Sequence, residues 1–405
     1  MQLSDPASLG FSGERLARIR PWMLRYVDSE RLPGVLVMVS RHGEPVYSDW
    51  VGLRDVERAL PVEEDTIFRI YSMTKTLASV ALMTLYEQGR FLLDDPVGRY
   101  LPPLARLEVF ESGTAEHYST VPAEQPVTIR HLLTHTSGFT YDFIDETPVA
   151  KLYNQHKVHH VFGRDDSREF IRKLSEIPLL AQPGSEWNYS VSTDVVGCLV
   201  EVLADRPFDD YLREVVLDPL GMVDTDFYVH EDRRPRFGCC YTPAGPQGGL
   251  TLADDSRSSR FLKPPAFPSG GGGLVSTAHD YLRFLHCLLG QGSLAGTRVL
   301  GRKTVEYMLR NHLPGDMASM GQPRFSETSY EGIGFGLAGS VVVDAAKSEV
   351  LQSDGTFAWG GMASTGFWLD RVEGVCTVLM TQLQPSSSYP IRNELRALVN
   401  QALVE

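Results

Sequence analysis

Apolar positions recur along this 405-residue chain with two different periods, and the changes between them divide it. Near the start, Leu16, Ile19, Met23 and Tyr26 return at three- and four-residue steps, with Ser12 where an N-cap would stand and Pro21 as an expected kink. Leu32-Pro33-Gly34 closes that helix. The apolar run Val35-Leu36-Val37-Met38-Val39, the turn residues 41–45 and the extended run 46–50 form a hairpin signature, and residues 51–57 are expected to add a third edge segment. An apolar-rich run at 77–85 then predicts a helix ending near Gly89.

The middle of the chain is mostly helical in spacing. Residues 92–97 and 100–103 read as turns and loop, and 127–133 as a strand-like entry into a short helix capped by Thr128. Helical spacing returns at 165–180, 193–203, 211–216 and 277–289, after the Gly270 to Gly273 turn. Beyond Gly334 the character changes. Residues 336–344, 358–369 and 374–382 are β-rich, and 392–403 closes the chain as an amphipathic helix with Leu395, Leu398, Val399 and Ala402 on one side. Strands at both ends and helices between them predict an α+β fold: one antiparallel sheet built from both termini and flanked by helices, with a mostly helical insertion. The expected division is an α/β domain in two parts, 1–70 and 330–405, around a helical domain at 71–329.

Composition narrows the function. With 42% apolar and 22% charged residues the chain can bury a sizeable core. Its net charge of -13 opposes nucleic acid or an anionic membrane as partner. No apolar run has transmembrane length, and the first residues lack the basic and apolar regions of a secretory signal, so a cytoplasmic protein is expected. Five cysteines without C-x-x-C spacing predict reduced, buried thiols, the neighbours Cys239 and Cys240 being the least comfortable part of that reading.

Chemistry concentrates in three places. Ser72-Met73-Thr74-Lys75 opens the 77–85 helix, and on a helix positions i and i+3 share a face, so the Lys75 amine reaches the Ser72 hydroxyl. A buried lysine with a depressed pKa can activate that hydroxyl, and free N–H groups at a helix N-terminus suit a developing oxyanion. Alone, the four residues are a weak signal and read more readily as a helix cap with a solvated lysine. Tyr189, in Trp187-Asn188-Tyr189-Ser190, is a proton carrier or a satisfied buried aromatic. Trp359-Gly360-Gly361-Met362 opens a strand whose glycines let a ligand or backbone approach closely.

Taken together and in this order, these motifs resemble the serine β-lactamase and penicillin-binding superfamily, and within it the family VIII carboxylesterases. Further matching stretches are Gly52-Leu53-Arg54-Asp55, residues 92–97, His131-Leu132-Leu133-Thr134-His135-Thr136-Ser137-Gly138 and residues 271–277, which span nearly the whole chain. The resemblance implies a serine β-lactamase-like fold, with Ser72 as nucleophile, Lys75 and Tyr189 as the proton-handling pair, the N–H groups of Ser72 and Met362 as oxyanion hole, and Asp194 orienting the network. Two departures bear on substrate. Where related β-lactamases carry Tyr-x-Asn this chain has Tyr189-Ser190-Val191, and where they carry Lys-Thr-Gly it has Trp359-Gly360-Gly361. Losing a cation and gaining an indole favours neutral, apolar acyl groups, with Trp359, Gly360, Gly361, Tyr141 and Phe357 as substrate-binding residues.

The expected function is therefore a serine carboxylesterase acting on short-to-medium acyl esters through an acyl-enzyme on Ser72, without cofactor or metal. The alternatives on the same fold are a β-lactamase, a D-aminopeptidase, an acyltransferase, or a penicillin-binding-like scaffold without turnover. No G-x-S-x-G is present, so the nucleophile elbow of α/β-hydrolases is excluded. His131 and His135 lack the glutamate of H-E-x-x-H, Gly270 to Gly273 lacks the ending of a phosphate loop, and His156, His159 and His160 read as a loop near the substrate entrance or as solvent-facing.

Overall fold

A computed structural model of the chain describes residues 2–144, 146–158, 165–245, 248–322, 324, 325, 328–337 and 339–405. The elements that frame the site run, in chain order, α1 (Ile19–Asp28), β1 (Gly34–Arg41), β2 (Glu44–Asp55), β3 (Leu60–Pro61), α2 (Thr74–Glu87), α3 (Ser192–Ala204), α4 (Ala278–Leu289), β4 (Ile333–Phe335), β5 (Ser340–Val342), β6 (Phe357–Gly360), β7 (Gly366–Asp370), β8 (Val375–Thr381) and α5 (Ile391–Asn400). The strands form one antiparallel sheet in the order β4-β5-β6-β7-β8-β1-β2-β3, so both ends of the chain meet where β8 pairs with β1.

The unbroken apolar run of β1 has its explanation in that central position. Val35, Val37 and Val39 pack in a cluster with Ile19 and Met23 of α1 and Leu395 and Val399 of α5. Leu36 and Met38, on the opposite face, belong to a second cluster with Leu77 and Leu82 of α2 and Leu285 of α4. A strand covered on both faces has no reason to alternate. The result is three layers: the terminal helices, the sheet, and the helices of the middle region.

Two local expectations need correction. The third edge segment is not at 51–57: residues through Asp55 prolong β2, and the edge strand is the two-residue β3, because β2 carries on past a shift in register. The first helix is broken before Pro21 rather than at it. Ser12 caps a single turn, Gly13–Leu16, and Pro21 falls in the first turn of α1, where an N–H has no helical partner to lose.

Helix α2 is buried on every side from Thr74 to Leu85, packs against α3, and ends at Gly89 in the left-handed conformation that glycine adopts without strain. Just before it, Phe68–Arg69 pairs antiparallel with Val275–Ser276, and the Ile70 N–H donates to Leu274 at 3.1 Å. That pairing brings the 270–274 turn, two hundred residues away in sequence, against the start of α2.

Candidate active site

The backbone leading to Ser72 is held from both sides. Arg69, fully buried, donates to Asp254 at 2.7 Å, to the Gly238 carbonyl at 2.6 Å and to Gln382 at 3.1 Å, and its guanidinium lies 4.1 Å from the Phe237 ring centre. Tyr71 then turns into the left-handed region with φ of 41°, a conformation that costs a non-glycine residue roughly 1–2 kcal/mol. A tight 3-10 turn, Tyr71–Met73, leads directly into α2. The helix-cap reading of Ser72 does not hold, since the cap positions of the two turns fall on Ile70 and Met73. Nor is Lys75 solvated; it is fully buried.

The Lys75 amine sits 3.2 Å from Ser72 Oγ, 3.0 Å from Tyr141 Oη and 2.6 Å from the Gly271 carbonyl. It also lies 4.6 Å from the centre of the Tyr189 ring. Asp194, in the first turn of α3, accepts from Ser269 Oγ at 2.5 Å and from the Gly271 N–H at 3.1 Å, so it fixes the glycine whose carbonyl receives Lys75. A side chain at position 271 would begin 2.4 Å from the Asp194 carboxylate, so only glycine fits. Burial raises the Asp194 carboxyl, and the charge of Lys75 pulls it back down. Burial first, then the charge of Asp194, pushes the Tyr141 phenol well above its ordinary value.

Ser72, Tyr189, Trp359, Gly360, Gly361 and Met362 all line one cleft of about 440 Å³. The Tyr189 ring lies 5.4 Å from Trp359 and 5.2 Å from Tyr141, and Trp187 stacks near it at 6.1 Å. Among the described residues, the N–H groups of Ser72 and Met362 meet no backbone carbonyl. Phe143, Ile144, Tyr330 and Val342 complete an apolar wall, with Phe143 half exposed and stacked on Tyr141.

Two of the expected substrate-binding residues do not reach this cleft. Phe357 is fully buried; it shares a strand face with Trp359 but lies two residues deeper, where Gly339 covers its ring so closely that a Cβ there would overlap it. Tyr141 is buried behind Lys75 and meets the amine instead. The cleft is also less devoid of cations than the missing Lys-Thr-Gly lysine suggested, because Arg392 and Arg396 of α5 form part of its wall. Their signal was a basic pair four residues apart on α5, off its buried Leu395 and Val399 side.

The remaining candidates have structural partners. His131 completes a capping box with Thr128. His135 bonds Ser190 at 3.1 Å beneath Tyr189, and burial, then Lys75, lowers its pKa well below the usual value. His156 lies 3.7 Å from Glu176, while His159 and His160 are outside the described residues. All five cysteines are free and buried. Asp55, Glu57 and Cys239 cluster closely, but Arg58 donates to Asp55 at 2.6 Å and contacts Cys239, supplying that group's positive charge. No described helix is long and apolar enough to cross a membrane.

Sequence and structure comparisons show which known proteins the chain is similar to. A protein of Mycobacterium tuberculosis is 35% identical over 367 residues, covering 89% of this chain and 88% of its own. The esterase EstB of Burkholderia gladioli is 32% identical over 394 residues, covering 93% of each. The structure of EstCE1, a hydrolase with promiscuous acyltransferase activity, superposes with a TM-score of 0.81 at 27% identity, covering 97% of this chain and 99% of that one. The Beta-lactamase family profile matches residues 19–401, and the chain belongs to that family.

Proposed function

We propose that this serine hydrolase is a carboxylesterase that cleaves short-to-medium acyl esters of small molecules through an acyl-enzyme on Ser72. The observation that carries the reading is the 3.2 Å approach of Lys75 to Ser72 Oγ at the floor of a cleft with one apolar wall. Lys75 has two other polar partners, Tyr141 and Gly271, which orient its amine toward the Ser72 hydroxyl. Ser72 Oγ attacks the ester carbonyl as Lys75 takes that proton. The Ser72 and Met362 N–H groups hold the oxyanion, and the Tyr189 hydroxyl passes a proton to the departing alkoxide. Water then attacks the acyl-enzyme by the reverse path. Trp359, Phe143 and Ile144 receive the apolar part of the substrate. The helical region 71–329 carries Ser72, Lys75 and Tyr189, and the α/β region 1–70 and 330–405 carries Met362.

Ser72→Ala is expected to abolish hydrolysis of p-nitrophenyl butyrate, and turnover that survives it refutes the reading. A lesser capacity for acyl transfer is favoured by the likeness to EstCE1. Adding an alcohol acceptor to the ester assay and following transesterification product by mass spectrometry measures it. With tryptophan at the lysine position of Lys-Thr-Gly, β-lactam turnover is expected to be the weakest activity, read with nitrocefin.

A further inference from the structure

The turn that carries Met362 has an unusual support. Gly361 and Thr365 close it through the Gly361 N–H to Thr365 carbonyl bond at 3.0 Å, and the Ser364 N–H donates to the Gly361 carbonyl at 3.1 Å. Arg392 reaches the same two carbonyls from α5. Its Nη2 donates to Gly361 at 2.7 Å and to Thr365 at 2.8 Å, and its Nε donates to Thr365 at 3.1 Å. The guanidinium fits because two glycines make room: a Cβ at Gly360 would lie 2.6 Å from its central carbon, and one at Gly366 would lie 3.3 Å from Nε. Ser364, with φ of 66°, ties the far side of the turn to Leu383 at 2.6 Å.

The Gly361 carbonyl and the Met362 N–H belong to one peptide group. A cation bonded to the carbonyl end of an amide draws electron density toward oxygen and makes the N–H end a stronger donor, the same polarisation that strengthens hydrogen-bond chains. It also fixes the peptide plane, and with it the direction in which the N–H points. We infer that Arg392 is a positioning residue of the ester-hydrolysing reaction: it aims and polarises the Gly361–Met362 peptide so that the Met362 N–H stabilises the oxyanion. This rests on the proposed role of Met362. It also accounts for one glycine of Trp359-Gly360-Gly361: Gly360 makes space for the guanidinium, whereas a Cβ at Gly361 would meet the Ile70 carbonyl.

An interaction felt only when negative charge develops lowers kcat when lost and leaves substrate binding alone. In Arg392→Gln, which keeps an N–H donor but no charge, kcat per titrated active site on p-nitrophenyl butyrate is expected to fall about 10- to 100-fold with KM within about two-fold of wild type. Arg392→Lys, which keeps the charge and loses the fork, is expected to recover part of that loss. Affinity for an alkyl boronic acid, whose tetrahedral serine adduct places an oxygen in the hole, should fall in proportion to kcat/KM. Gly360→Ala, which displaces the guanidinium with every charge intact, should reproduce the kcat loss. A purely structural Arg392 would lower the melting temperature while leaving kcat per titrated site and boronate affinity at wild-type values, and that result overturns the inference. Survival of turnover in Ser72→Ala overturns the esterase reading and this inference with it; an inactive Ser72→Ala beside a wild-type kcat in Arg392→Gln overturns the inference alone.

Discussion

Lys75 donates to the Gly271 carbonyl at 2.6 Å, its shortest contact, while Ser72 Oγ stands farther off at 3.2 Å. The lysine is thus aligned by the 270–274 turn, and that turn is held by Asp194. Gly271→Ala pushes a methyl group against the Asp194 carboxylate and shifts this alignment. Displacements near 1 Å at a reacting group cost on the order of 100-fold. Gly271→Ala and Asp194→Ala are both expected to lose about 100-fold in kcat by that measure. Asp194→Asn, whose Oδ1 can still accept from Ser269 and Gly271, should lose about 10-fold or less if alignment is its role. Steady-state ester hydrolysis decides it: equal losses in Asn and Ala variants would assign the effect to charge instead.

Tyr189 separates proton transfer from packing, because phenylalanine keeps its contacts with His135, Trp187 and Trp359. General acid catalysis is worth about 100- to 10,000-fold when the leaving group needs a proton. Tyr189→Phe should therefore lose about that much on ethyl butyrate and far less on p-nitrophenyl butyrate, whose phenoxide leaves unprotonated. Equal losses on the two esters would remove Tyr189 from the role of acid.

Local chemistry made most of the frame legible and hid the supports. The Ser72-x-x-Lys75 pair follows from helix geometry over four residues, and the burial of β1 from five consecutive apolar positions. The Lys75 to Gly271 bond joins positions 196 apart and uses a carbonyl, which every residue has, so no side-chain pattern announces it. Tyr71 resembles any aromatic in the sequence; its left-handed backbone is imposed by the anchored chain on either side. Phe357 and Trp359 share a strand face; Gly339 and the core cover the Phe357 ring, while Trp359 lines the cleft. Arg392 was invisible as a support because its partners are carbonyls and its space is the absence of two side chains.

The terminal helices are joined through one carboxylate. Glu394 on α5 accepts from Trp22 Nε1 at 2.6 Å, Arg25 at 2.9 Å and Tyr26 Oη at 3.1 Å, all on α1. Burial, then the Glu394 charge, pushes the Tyr26 phenol up to about 12. Removing the acceptor leaves the part-buried donors of Trp22 and Tyr26 without this partner. Glu394→Ala is expected to lower unfolding stability by about 2 kcal/mol and Glu394→Gln by about 1 kcal/mol, read from urea midpoints at constant slope.

His286 on α4 bonds the buried Ser40 hydroxyl of β1 at 2.7 Å, and burial, reinforced by Arg283 and His279, lowers its pKa to about 4. A histidine folded at about 4 and unfolded at 6.5 binds more protons in the unfolded chain throughout that interval. Stability therefore rises with pH across it and is lost as pH falls from 6.5 toward 4, levelling off below. The gap corresponds to about 2–3 kcal/mol, allowing for the partial exposure of the ring. His286→Gln can still bond Ser40 but carries no proton, so it should lack this component. The stability difference between wild type and His286→Gln should then be most favourable to wild type above pH 6.5 and shift toward the variant by about 2–3 kcal/mol at pH 4. Urea unfolding of both proteins at a series of pH values measures that difference directly, and a constant difference across the interval would mean that His286 keeps its ordinary pKa in the folded protein.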